Sequence, residues 1–129
     1  MTTREVIDAY YSTSARGDWD GWLALFGDPF LMEDVMGGNI SDIETMKEHV
    51  DAIRTGYSKF LMSPVHIVVD GEQGFVAWHF QGANASGVPI DAKGSNFFEV
   101  NNGKIAHIAE FFNLEPFAPF INQTKPAGN

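Results

Sequence analysis

The chain contains no cysteine, so it has neither a disulfide framework nor a thiol nucleophile. It is also poor in positive charge. Eight Lys and Arg stand against seventeen Asp and Glu, for a net charge of −9. That balance repels phosphate backbones and anionic lipid surfaces, so neither nucleic acid nor a membrane is expected as a partner. No apolar stretch approaches the length that spans a bilayer. The opening MTTREVIDAY lacks a basic segment followed by an apolar run, so no signal peptide is read there and a cytoplasmic location is expected. His49, His66, His79 and His107 show no HxxxH or HxH spacing, and no metal site is expected. The glycines form no phosphate-binding fingerprint. The expectation is a protein that works without a cofactor.

What is abundant is apolar and aromatic. Hydrophobic residues make up 44% of the 129 residues, with eleven Phe, three Trp and three Tyr. This suits one domain spanning residues 1–129 with a real core. So many aromatics in a small domain either pack densely or line a pocket.

Thr2 and Glu5 have capping-box spacing, and Val6, Ile7, Tyr10 and Tyr11 follow at helical intervals. This predicts a first helix ending near Arg16-Gly17. Asp18 is placed to cap a short second helix with Trp19, Trp22, Leu23 and Phe26 on one face, stopped by Asp28-Pro29. A short strand is expected over Phe30–Asp34. Ser41 and Glu44 repeat the capping-box spacing ahead of the longest predicted helix. Its apolar stripe runs Ile43, Met46, Val50, Ile53, Tyr57 and Phe60, and Ser63-Pro64 closes it.

The period then switches to strands, expected at Val65–Asp70, Gln73–Ala83, Ile90–Val100 and Lys104–Phe112. Turns fall at Asp70-Gly71 and Asn102-Gly103. Residues 114–129 carry three prolines and a polar end, and are expected to be irregular, with a disordered tip. Helices followed by strands predict an α+β fold, with helices on one face of a mostly antiparallel sheet. Phe97-Phe98 and Phe111-Phe112 are adjacent pairs that point to opposite faces of their strands. Both faces of the sheet therefore need cover. A second subunit is the simplest cover for the outer face, giving an expected homodimer. The alternative is a tail that folds back with Phe117 and Phe120.

From Tyr10 to Gly37 the order is a helical tyrosine, the Gly17-Asp18 turn, a short apolar helix, the acidic pair Glu33-Asp34 and a glycine turn. That order resembles the opening of the ketosteroid isomerases, within the nuclear transport factor 2-like (SnoaL-like) superfamily. The resemblance implies a strongly curved sheet forming a cone-shaped, cystatin-like barrel, with helices closing one side over an apolar pocket. It aligns Asp34 with the carboxylate that moves a proton between two carbons of the substrate, and Tyr10 with the oxyanion-hole tyrosine. It places Asn96 where the isomerases carry a protonated aspartic acid. An asparagine amide donates at any pH but more weakly than a carboxylic acid, so steroid isomerisation itself is put in question.

The same alignment turns Trp78 and Phe80 inward and His79 outward. It also turns Phe98, Ile108, Glu110 and Phe112 inward, with His107 outward. Glu110 is a second candidate base, because polyketide cyclases of this superfamily use an acid on the last strand. Trp22, Phe26, Trp78, Phe80, Phe98, Ile108 and Phe112 are the expected substrate-binding residues. Each site residue also has a plainer reading. Asp34 can cap a turn amide, Tyr10 can be core filler, and Asn96 can satisfy strand-edge backbone. Glu110 can belong to a buried ion pair.

The resulting expectation is a cofactor-independent acid–base enzyme acting on a hydrophobic carbonyl compound through an enolate. A cyclase or dehydratase of the same fold, or a non-catalytic binding or dimerisation module, are the alternatives.

Overall fold

The computed structural model describes residues 1–123. The order is α1 (Thr3–Ala15), α2 (Trp19–Leu23), β1 (Phe26–Asp34), β2 (Gly38–Ile40), α3 (Ile43–Gly56), β3 (Tyr57–Asp70), β4 (Gln73–Asn84), β5 (Pro89–Asn101) and β6 (Lys104–Phe112). A 3-10 turn at Glu115–Phe117 and helix α4 (Ala118–Asn122) complete it. Six strands form one curved sheet in the order β2-β1-β6-β5-β4-β3. It does not close on itself, since β2 and β3 remain its two edges. β1 and β6 run parallel; every other neighbouring pair is antiparallel. This is the α+β architecture expected from the pattern, with the helices on the concave side.

Local chemistry accounts for the elements. The Thr2 hydroxyl accepts from the Glu5 amide at 3.1 Å, while the Glu5 carboxylate accepts from the Thr2 amide at 2.9 Å. Asp18 caps α2 by accepting from Gly21 N at 2.9 Å. The β5–β6 hairpin turns through Asn102 (φ 52°) and Gly103 (φ 74°), the paired left-handed residues of a tight two-residue turn.

Four expectations change. The cap of α3 is Asp42, which accepts from Thr45 N at 2.9 Å, so the Ser41–Glu44 box is not the one used. The helix stops at Gly56, and Tyr57 and Phe60 lie on a fourteen-residue β3 that pairs along β4. Strand β1 begins at Phe26 and runs through Pro29. Proline is tolerated there because β2 pairs only with Met32–Asp34, and the β6 register shifts between Phe26 and Leu31. The segment from 115 to 122, expected to be irregular, is helical. Its prolines fall in first turns, where the missing N–H costs nothing. The expected disordered tip lies outside the described residues.

The concave face is not uniform. Beneath α1 it is solid. Val6 and Ile7 meet Val76, Phe98 and Asn96, all with 0% of their surface exposed. α1 lies so close to β4 that a Cβ at Gly74 would collide with the Ile7 methyl. Toward α2, α3 and the C-terminal turn the face is hollow. The tail closes that hollow: Phe117 packs on Phe80 and Phe112, and Phe120 stacks on Tyr57 at 4.3 Å and 8°. The tail therefore covers the concave side. On the convex side Phe111 stays 55% and Phe75 46% exposed.

Candidate active site

The hollow is a cavity of about 230 Å³ whose wall is mostly aromatic and aliphatic. Trp22 from α2, Trp78 and Phe80 from β4, Phe112 from β6 and Phe117 and Phe120 from the tail enclose it. Its polar groups are Tyr10, Ser14, Asp34, His49, Tyr57 and Glu110. The sheet topology brings the two acids together. In the parallel β1–β6 pairing Met32 lies beside Ile108 and Glu33 beside Ala109, so the next step places Asp34 beside Glu110. Strand alternation turns both carboxyls inward and turns Glu33 out, where it contacts His107 Nε2 at 2.6 Å.

Asp34 sits at the end of β1, its side chain only 5% exposed. Its Oδ2 accepts the Gly37 amide at 2.9 Å, so the turn-capping bond is present. The same oxygen lies 3.8 Å from His49 Nδ1 on α3. Burial lowers the proton affinity of His49, and the nearby Asp34 charge works against that. Glu110 is the most perturbed acid. Burial, then the hydrogen bond to Asp34 and its charge, raise the Glu110 pKa well above the usual carboxylate range, opposed by the Val35 amide. Its Oε1 is buried without a hydrogen-bond partner, while the residue as a whole borders the cavity. The arrangement is a pair of neighbouring carboxyls, of which Glu110 holds its proton well above the usual carboxylate range.

Tyr10 meets Tyr11, Trp22 and Phe98 through its ring, and its hydroxyl forms no hydrogen bond among the described residues. Burial, then the nearby Glu110, keeps that hydroxyl protonated well above its ordinary range. It is a neutral donor without a protein acceptor at the edge of a cavity. Tyr57 is a second such hydroxyl, its proton also held by burial.

Asn96 is placed differently from what the alignment implied. It faces inward, but it is not part of the cavity wall. Its amide donates to the Tyr11 hydroxyl at 2.9 Å and its oxygen accepts from Trp78 Nε1 at 3.2 Å. Both ends of the amide are thus engaged beneath the indole. Phe98 and Ile108 are likewise wholly buried in the solid half, and Phe26 packs on Trp22 and Phe30, so these three of the expected binding residues do not line the cavity. Trp22, Trp78, Phe80 and Phe112 do. Sequence reasoning passed over His49 and Tyr57. The i, i+3 step from Met46 to His49 and on to Ala52 and Ile53 was the available signal for His49.

The SnoaL-like domain family matches residues 7–108, and the chain belongs to it. Solved structures share the fold over nearly the whole chain. A candidate polyketide cyclase from Xanthomonas campestris pv. campestris is 19% identical, with 92% of this chain and 96% of that one covered and a TM-score of 0.82. A candidate polyketide cyclase from Pseudomonas putida is 22% identical over 91% and 96%, with a TM-score of 0.78. A nuclear transport factor 2-like protein of unknown function from Burkholderia pseudomallei is 15% identical over 92% and 96%, at 0.83. At these identities the likeness is one of fold. A search of curated proteins finds no match to the chain. Among the described residues no helix is long and apolar enough to cross a membrane, and no group of three or more His, Asp or Glu is arranged to hold a metal ion.

Proposed function

We propose that the chain is a cofactor-independent acid–base enzyme that moves a proton on an apolar carbonyl compound through an enolate. The observation that carries this reading is the Asp34–Glu110 pair, set side by side by the parallel β1–β6 register in the wall of an apolar cavity. Asp34 takes the proton from the carbon next to the carbonyl. The Tyr10 hydroxyl, which has no protein acceptor, donates to the developing oxyanion. Glu110, holding its proton, is the acid that returns a proton to carbon or to oxygen. The aromatic wall excludes water, which strengthens each of these interactions.

General base catalysis is worth roughly 10²–10⁴-fold, and one well-placed oxyanion donor roughly 10²–10³-fold. Together they suffice for an already acidic carbon. Return of the proton to another carbon is isomerisation, whereas protonation of a second carbonyl during attack by the enolate is an aldol cyclisation. The presence of an acid on β6 beside the base favours the cyclase version as the second reading.

The test is deuterium exchange at the α-carbon of 2-tetralone and isomerisation of a 3-oxo-Δ5-steroid, each by wild type and Asp34→Ala. Exchange that depends on Asp34 supports the enzyme. Equal rates in both proteins remove Asp34 as the base and leave a non-catalytic binding module.

A homodimer through the convex face belongs to the same proposal. Val68, Phe75, Phe97 and Ala109 form one cross-strand row there, with Phe111 one rung away. Phe75→Lys with Phe111→Lys is expected to yield monomers in analytical ultracentrifugation. A monomeric wild type refutes the dimer.

A further inference from the structure

Beside the cavity lies an outer recess lined in part by Ser14, Arg16, Trp19, Arg54, Tyr57 and Phe60. Ser14, Trp19, Ile53, Tyr57 and Phe60 border both spaces, so the recess adjoins the hollow as a vestibule would. Its charge runs against that of the rest of the molecule. The chain has a net charge of −9 and only three arginines, and two of the three stand in this one rim.

Local structure leaves these guanidiniums available. Arg54 lies in the last turn of α3 and forms no ion pair or hydrogen bond among the described residues. Arg16 caps the end of α1, and its Nη2 is 3.6 Å from Asp18 Oδ2, with side chains 60% and 46% exposed. An ion pair that exposed contributes little, so Arg16 can exchange Asp18 for another anion. Asp18 in any case has its own partner, since its Oδ1 caps α2 through Gly21 N. Both arginines stand at helix C-termini, whose dipoles amount to about half a negative charge each. Each guanidinium therefore outweighs its helix end. The carbonyls of those ends are also partly satisfied, by Arg16 N and Gly17 N at α1 and by Gln123 Nε2 at α3.

An apolar chamber with a doubly cationic rim selects for shape and charge together. We infer that the ligand of this site is an amphipathic anion: an apolar, carbonyl-bearing body that fills the cavity, joined to a carboxylate held between Arg16 and Arg54 in the vestibule. The planar fork of a guanidinium matches a carboxylate through two parallel N–H donors. The anion also fixes which end of the body enters first, so the carbonyl is carried inward toward Tyr10 and Asp34. A neutral steroid would leave the rim unused. This inference rests on the proposed active site only for the position of the carbonyl; the charge preference stands on the vestibule alone.

The probe is 4-(2-naphthyl)-4-oxobutanoate, an aryl ketone with a terminal carboxylate, compared with its methyl ester. Binding is measured by calorimetry or tryptophan quenching at low and high salt, and α-carbon deuterium exchange is followed in the same samples. The acid is expected to bind about tenfold or more tighter than the ester at low salt, with the gap narrowing as salt rises. In Arg16→Gln/Arg54→Gln the acid-to-ester ratio is expected to fall close to unity. In Lys93→Gln, which removes one positive charge from the convex face, it is expected to persist. Asp34→Asn separates the two proposals, because it abolishes exchange while leaving the ratio intact. Lack of exchange in the wild type sinks the enzyme and leaves the charge preference standing. An acid that binds no tighter than the ester, no binding of the acid, or a preference that survives the double substitution overturns the inference.

Discussion

Replacing Glu110 with glutamine removes one titratable group from the cavity wall and changes almost nothing else in shape. The wild-type carboxyl is raised well above its ordinary value of 4.5, chiefly by burial and then by Asp34. Above that ordinary value the unfolded chain has released this proton while the folded chain still holds it. Stability must then fall as pH rises, and it stops falling once the folded Glu110 ionises as well. One retained proton sets the limiting slope at about 1.4 kcal/mol per pH unit. His49 acts in the opposite sense. Its affinity is lowered on folding, so the unfolded chain takes up that proton first and stability is lost as pH drops below 6.5.

Both proteins carry His49, so its contribution cancels when the two are compared at each pH. Urea denaturation across the range above pH 4.5 is expected to show wild type losing stability relative to Glu110→Gln as pH rises. Activity should move the other way. The glutamine retains a hydrogen-bond donor but cannot give up a proton, so kcat for the carbonyl reaction is expected to drop roughly 10²-fold or more. Parallel stability slopes in the two proteins would refute the reasoning, because they would mean that Glu110 already ionises like any surface carboxyl.

Three further substitutions probe the cavity wall and the layer beneath it. Tyr10→Phe deletes a hydroxyl that has no hydrogen-bond partner among the described residues, so thermal stability should hardly change while kcat falls roughly 10²–10³-fold; equal kcat removes Tyr10 as the oxyanion donor. Gly37→Ala places a Cβ 2.9 Å from Asp34 Oδ2, which must shift that carboxylate. About tenfold or greater loss of kcat with a small change in melting temperature is expected, and unchanged kcat refutes a positioned base. Asn96→Ala strands the Tyr11 hydroxyl and the Trp78 indole N–H in a sealed layer, costing about 2–4 kcal/mol of stability. Exchange per folded molecule should stay within a few-fold, and loss on the scale of Tyr10→Phe would return Asn96 to the oxyanion hole.

Much of the fold was legible because its signals are local. The Thr2–Glu5 box, the Asp18 cap and the Asn102-Gly103 turn each satisfy specific backbone groups, and they act as read. The errors arose where two local signals competed. Tyr57 and Phe60 continue the helical spacing of α3, yet Gly56 ends the helix and β3 starts with no intervening loop. Tyr57 and Phe60 have opposite parity, which a strand accommodates only through the register shift between Tyr57 and Lys59, and pairing with β4 from Tyr57 onward decides it. Pro116 and Pro119 read as breakers but serve as helix starters, which only their position within the first turn distinguishes.

The site was legible one residue at a time and illegible as a set. Strand alternation alone turns Asp34 and Glu110 inward, but their meeting depends on β1 and β6 being parallel neighbours. Nothing in either segment encodes that long-range choice. The expected ion-pair reading of Glu110 assumed a basic partner. The structure gives it an acidic one, and that neighbour, after burial, raises its proton affinity.

The division of the concave face explains why Asn96 and Glu110, direct cross-strand partners, differ so sharply in prospects. α1 presses onto β4 and β5, and the Asn96 side chain, caught under that helix, must satisfy every polar atom within the protein or destabilise it. It does so through Tyr11 and Trp78. One strand further along, Glu110 of β6 borders the cavity whose wall Tyr10 and Ser14 of α1 share with α2, α3 and the tail. There Glu110 Oε1 is left buried without a hydrogen-bond partner, and the raised proton affinity of its carboxyl lessens the cost of that burial. A substitution that enlarged α1 where it borders the hollow, at Ser14, is therefore expected to fill the cavity before it disturbs the sheet.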